Sequence, residues 1–174
     1  MARPRLAVIP MPAERFSIRV SKDYFLFCCA HFITYEGDDC ERLHGHNYRV
    51  AVEVEGPLDG NHYVFDFIAL KRRTQSIVDE LDHHMLVAMR NPLLPVKENG
   101  SNLVVTFGEK MWSFPKEDCV LLPIENTTAE LIAKWFAGRL TTELQRQHGF
   151  APGRLRVEVE EAMGQSAAYE IIGS

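Results

Sequence analysis

His44-Gly45-His46 places two imidazoles two residues apart. In an extended strand, positions i and i+2 share a face. The two rings then converge on one point, and Gly45 leaves room on the opposite face. His31 closes the nearly unbroken apolar run Tyr24–His31, the pattern of a strand buried on both faces. An unpaired imidazole there would be costly. One loop separates the two strands, so they can pair and bring His31 beside the other two. Three neutral imidazoles suit zinc, and three protein ligands leave the fourth position open, as a catalytic zinc needs. The bland alternative is a set of polar residues at a strand edge.

Cys40 lies four residues before His44. It can be a fourth ligand that closes the site, a base or nucleophile whose thiol the metal acidifies, or a loop cysteine without a role; spacing leaves all three open. Asp82-His83 follows a helical stretch. A carboxylate that orients an imidazole makes a proton relay, and charge placement at a helix end explains the pair equally well. Glu161 continues the parity of Leu155, Val157 and Val159. A carboxylate on that apolar face needs a partner. A flat ligand that donates paired N–H groups, such as a pterin or guanine, would serve. Otherwise the strand stops at Val159 and Glu161 meets water.

The elements that must hold these residues read as follows. Tyr48 to Glu55 alternates, with Tyr48, Val50, Val52 and Val54 on one face. Asp66 caps a helix whose apolar side carries Phe67, Leu70, Ile77 and Leu81. Leu103–Phe107 and Lys110–Phe114 form a hairpin joined at Gly108-Glu109. Thr127-Thr128-Ala129-Glu130 is a capping box that opens a second helix with the stripe Ile132, Phe136, Leu140 and Leu144. Gly149 stops it. Two strands follow, over Leu155–Glu160 and Ala167–Ile172. The order β-β-α-hairpin-α-β-β predicts an α+β domain with an antiparallel four-stranded sheet. Residues 1–15 read as an irregular lead-in.

The 174 residues fit one domain, 1–174. Nineteen basic residues against 24 acidic ones give a net charge of −5, with no basic stripe, which argues against nucleic acid. Pro10 and Pro12 interrupt the N-terminal apolar stretch, so it lacks the core of a signal peptide. No run is long enough for a membrane span. A cytoplasmic protein is the expectation, with Cys28, Cys29, Cys40 and Cys119 as reduced thiols.

Five ordered motifs bear a family likeness: Phe27-Cys28-Cys29-Ala30-His31, Cys40 through Tyr48, Phe65-Asp66-Phe67, Leu81-Asp82-His83 and Asn126 through Glu130. The chain resembles the 6-pyruvoyl-tetrahydropterin synthase and 6-carboxy-tetrahydropterin synthase family over about residues 20–86 and 126–172. Its Cys-x-x-Leu-His-Gly-His segment is most similar to the 6-carboxy branch, which feeds deazaguanine (queuosine) synthesis. The resemblance implies the tunnelling fold, with both helices on one sheet face. It implies a homo-oligomer built from trimers, as a hexamer, with interface active sites. It implies zinc on His31, His44 and His46, Cys40 as base, Asp82 and His83 as relay, Glu161 as pterin anchor, and Thr128 in the pterin pocket. Glu130 falls in the same segment. The implied substrate is 7,8-dihydroneopterin triphosphate. The 6-carboxy branch releases triphosphate and acetaldehyde; the pyruvoyl branch eliminates triphosphate alone. Three features depart from the pattern: Cys29 replaces a small residue, Ala162 follows Glu161, and residues 87–125 form an insertion. Competing readings are a zinc hydrolase, against which Tyr48 stands where an Asp is common, and a non-enzymatic pterin- or purine-binding protein with a structural zinc.

Overall fold

The computed structural model describes residues 14–173, so most of the lead-in expected over 1–15 lies outside the described residues. In chain order the strands and helices are β1 (Phe16–His31), β2 (Thr34–Tyr35), β3 (Asp39–Cys40), β4 (His44–Gly56), α1 (Phe67–Leu81), β5 (His84–Ala88) and β6 (Val96–Asn99). They continue with β7 (Asn102–Phe107), β8 (Lys110–Pro115), β9 (Cys119–Leu122), α2 (Ala129–His148), β10 (Arg154–Ala162) and β11 (Gln165–Ile172).

The main sheet has six strands in the order β11-β10-β4-β1-β5-β9. The four expected antiparallel strands are its first four. The other two correct the four-stranded expectation: β5 runs parallel to β1, and β9 parallel to β5. Both are short apolar runs, which periodicity alone cannot separate from buried loop. Parallel neighbours need a crossover, and the segment between β5 and β9 supplies it. That segment contains the expected hairpin, β7–β8, extended by β6 into a three-stranded antiparallel unit.

β1 also starts eight residues earlier than the apolar run announces. Its first half pairs with the far end of β4, Phe16 opposite Gly56 and Val20 opposite Val52. A register irregularity between Ser21 and Leu26, over polar Lys22 and Asp23, hides this continuity in the sequence.

Both helices cover one face of the sheet. Asp66 caps α1 as expected, accepting from the Ile68 and Ala69 N–H groups at 2.9 and 3.3 Å. The buried stripe of α1 begins at Leu70 and includes Thr74; Phe67, expected in it, is half exposed. In α2, Ile132, Phe136, Leu140 and Leu144 are fully buried, and Gly149 ends the helix in the left-handed region at φ 62°. The helices seal the core against Phe25 and Phe27 of β1, Tyr48 to Val54 of β4, and Leu155 to Val159 of β10. The opposite face is charged: Arg154 bonds Glu53 at 3.0 Å and also pairs with Glu170. A second, smaller core lies under the three-stranded unit, joining Phe32, Cys40, Met85, Val87, Leu94 and Val105. Among the described residues no helix is long and apolar enough to cross a membrane.

Phe136→Ala removes a large, fully buried side chain from the helix–sheet core. It should lower unfolding free energy by about 3–5 kcal/mol, read as a reduced urea midpoint with an unchanged slope.

Candidate metal and substrate site

The inward parity of three adjacent strands turns from apolar to polar at the same end of the sheet. On β1, Phe25, Phe27 and Cys29 lead to His31; on β4, Val50 and Tyr48 lead to His46 and His44; on β10, Leu155, Val157 and Val159 lead to Glu161. His31 stands directly opposite His44, and Cys29 opposite His46. The three imidazoles therefore gather on one face. Their ring centroids are 4.7, 4.9 and 5.4 Å apart, and one ring nitrogen from each lies within 4.8 Å of the others. Gly45 is required between them, because a Cβ there would stand 3.0 Å from the Cys29 carbonyl oxygen.

Hydrogen bonds set the tautomers. His31 Nδ1 lies 3.0 Å from the Thr127 carbonyl oxygen, and His44 Nδ1 lies 2.8 Å from that of Arg42. A carbonyl only accepts, so each Nδ1 carries the proton and each Nε2 keeps its lone pair for a metal. Burial pushes the His31 pKa down, and nearby His44 adds to the effect, so the ring stays in its neutral ligand form. Tyr48 Oη donates to Glu161 Oε1 at 2.9 Å and also faces His31 Nε2 at 3.1 Å. One phenolic proton serves two acceptors there. Glu161 Oε1 is a further 3.6 Å from His31 Nε2 and 3.7 Å from His46 Nε2. This excess of lone pairs around one point is what a bound cation satisfies. The donor set of three imidazoles fits a divalent metal with an open position.

A cavity of about 590 Å³ opens from the triad, a size suited to a small ligand. Glu161, Thr128, Glu130 and the Gln165–Ala167 segment line one part of it, and Glu41 another. Thr128 is the N-cap of α2, accepting from the Leu131 N–H at 3.5 Å. The N-cap thus lies one residue beyond the expected Thr127, and with Leu131 at the third helical position the expected capping box does not form. The Thr127 hydroxyl is engaged elsewhere, donating to the Phe32 carbonyl at 3.2 Å, 3.3 Å from His31 Nδ1. Glu130 is consequently free of a capping role and faces the cavity.

Cys40 is not among the residues lining that cavity. It is buried in the smaller core, and its thiol lies 3.5 Å from the Glu41 carbonyl oxygen. Burial pushes its pKa up. Glu41 reaches the cavity in its place, 3.9 Å from His44 Nε2. Sequence reasoning passed over Glu41, although alternation offered a signal: once Cys40 faces a core, its neighbour faces away. Asp82 and His83 do form a pair, at 2.9 Å. Asp82 also accepts from the Cys28 N–H at 2.8 Å, and these bonds lower its pKa against the opposing effect of desolvation. His83 sits in the left-handed region at φ 59° with its side chain 82% exposed. Neither residue lines the cavity, so one chain does not bring the relay pair to the triad.

Residues 19–171 match the profile of the 6-pyruvoyl tetrahydropterin synthase family. The chain belongs to that family. A Methanocaldococcus jannaschii protein named putative 6-carboxy-5,6,7,8-tetrahydropterin synthase is 33% identical over 144 residues, 82% of this chain and 88% of that one. A Pyrococcus furiosus dihydroneopterin monophosphate aldolase is 42% identical over 67 residues, 38% of this chain and 56% of that one. The crystal structure of Plasmodium vivax 6-pyruvoyl tetrahydropterin synthase superposes with a TM-score of 0.85 at 32% identity, covering 92% of this chain and 99% of the other. That enzyme has also been solved with a catalytic glutamate replaced by alanine and by cysteine. The fold is therefore the tunnelling fold, and the chain is a tetrahydropterin synthase-type enzyme. Coverage of 92% also gives most of residues 87–125 a structural counterpart, so this segment is shared with a relative and is not peculiar to this chain.

Gly45→Ala should press on the Cys29 carbonyl and move the two flanking imidazoles. Metal affinity should fall roughly 10–100-fold, the range for disturbed ligand support, as read by competition with a chromogenic chelator.

Proposed function

We propose that the protein is a zinc-dependent lyase that acts on the side chain of 7,8-dihydroneopterin triphosphate and forms 6-carboxy-5,6,7,8-tetrahydropterin, releasing acetaldehyde and triphosphate. One observation carries this reading: a ring nitrogen from each of three imidazoles converges in one cavity, with Glu161 beside His31 and His46, and Glu41 beside His44. The name of the Methanocaldococcus relative supports the product.

Zinc on His31, His44 and His46 would supply Lewis-acid polarisation of the side-chain hydroxyls. Glu161 accepts paired N–H bonds from the pterin ring, held in place by the Tyr48 hydroxyl. Burial pushes the Tyr48 pKa up, so the hydroxyl stays a donor. Thr128 and Glu130 flank the ring. Glu41 takes the proton from the side-chain carbon; its carboxylate faces the reacting atoms, whereas the Cys40 thiol is buried and protonated. Asp82 and His83 relay protons from a neighbouring copy, since they lie outside their own chain's cavity. This requires a homo-oligomer with the active sites at its interfaces, and the assembly in this proposal is trimer-based, a hexamer.

A second reading is favoured by the place of Glu41. A carboxylate base with no thiol in reach suits retro-aldol cleavage between the first two side-chain carbons. The products would be 6-hydroxymethyl-7,8-dihydropterin and glycolaldehyde triphosphate. The relative named as an aldolase and the one with a catalytic glutamate support it.

Mass spectrometry of the pterin product, with aldehyde trapping, separates the outcomes. Acetaldehyde with the 6-carboxy product supports the first reading and glycolaldehyde triphosphate the second. The pyruvoyl product without any aldehyde overturns both in favour of simple elimination. Glu41→Gln should lower kcat roughly 10²–10⁴-fold, the range for a general base, with zinc retained. Cys40→Ala should keep zinc and most turnover; a comparable loss in that variant would return the base to the thiol.

A further inference from the structure

A second cavity, of about 370 Å³, adjoins the first across Glu41. Its lining includes Glu41, Arg42, Lys110, Met111 and Trp112. Lys110 and Trp112 belong to β8, within the 87–125 segment for which the reaction has so far offered no use.

The position of this cavity is fixed by packing. The Trp112 ring stacks on Phe32, the residue after His31, with centroids 4.5 Å apart and planes 25° apart. That contact ties β8 to the strand carrying the metal ligand. Lys110 Nζ donates to the Cys40 carbonyl at 3.2 Å and stands 5.6 Å from the centre of the Phe107 ring. An ammonium group has three N–H donors, so two remain for a ligand. The Arg42 side chain is exposed beside it, while its main-chain carbonyl holds His44. Two cations thus flank the Glu41 end of the triad, opposite the Glu161 end.

We infer that this second cavity is an anion subsite, in which Lys110 and Arg42 receive the phosphate chain of a phosphorylated pterin substrate. The inference rests on the proposed pterin reading and deepens it. With the ring on Glu161 and the side chain over the triad, the far end of the side chain passes Glu41. A chain of phosphoryl groups attached there enters the cavity that holds the two cations. Lysine and arginine bind such oxygens through charge-assisted hydrogen bonds. The three-stranded unit is then a specificity element: it supplies the phosphate-reading Lys110 and plays no part in the proton transfers.

The test uses the full-length zinc-loaded protein and two probes, inorganic tripolyphosphate and unphosphorylated neopterin. Wild type should bind both, tripolyphosphate by calorimetry and neopterin by its fluorescence. Lys110→Met and Arg42→Gln should each weaken tripolyphosphate roughly tenfold, the loss of one charge-assisted hydrogen bond. Zinc content and neopterin affinity should stay unchanged. Lys110→Arg should restore most of the tripolyphosphate affinity. Equal tripolyphosphate affinity in wild type and both charge-removing variants overturns the subsite, and so does an equal loss of neopterin binding. If wild type binds tripolyphosphate in a Lys110-dependent way yet ignores neopterin, the subsite stands and the pterin reading falls.

Discussion

The site depends on one buried contact, the bond between the His31 imidazole and the Thr127 carbonyl. His31 is 1% exposed, at the end of a strand whose other inward residues are apolar. Its ring needs a partner on each nitrogen. Thr127 satisfies Nδ1 and leaves Nε2 aimed at the centre of the triad. The same bond joins β1 to the segment that opens α2, and so sets where the helix begins. Asn126 reinforces the junction by bonding both the N–H and the carbonyl of Thr34, at 3.3 and 2.8 Å. Shifting the helix start by one residue would leave either the cap or the histidine unserved.

The cavity is the place where the sheet extends beyond its helical cover. Further down, the inward positions of β1, β4 and β10 meet α1 and α2 and are apolar. Past Cys29, Tyr48 and Val159 they line the cavity and are polar, with His31 buried against Thr127. Tyr48 stands at the boundary: its ring stacks on Phe27 at 5.0 Å, and its hydroxyl reaches Glu161 and His31. Core packing thereby fixes the direction of a hydrogen bond in the site, a more rigid arrangement than loops alone would provide.

The smaller core shows how a docked element decides which residues of a local pattern face the site. Docking of the three-stranded unit on Phe32 and Met85 creates an apolar environment beside β3, and Cys40 fills it. The adjacent Glu41 is turned outward to His44. One contact surface therefore decides which of two neighbouring side chains faces the triad, and it also carries Lys110 to the edge of the cavity.

Much of this was legible in the residues. The alternation of β4 and β10 indicated the inward faces, and parity offered that side to His44, His46 and Glu161, provided the strands ran that far, as they do. The caps Asp66 and Gly149 bounded the helices. These features are local: period, capping and turn chemistry are written within a few residues of where they act. What the sequence did not disclose is non-local. The parallel strands β5 and β9 exist because a distant segment crosses over between them. The Thr127 hydroxyl left the capping box because Phe32 and His31, almost a hundred residues away, compete for it. Cys40 faces the smaller core and Glu41 the cavity because of packing by residues 85–114. Adjacent side chains on a strand differ only in which face they take, and that choice belongs to whichever surface packs against it, so tertiary structure alone could decide it.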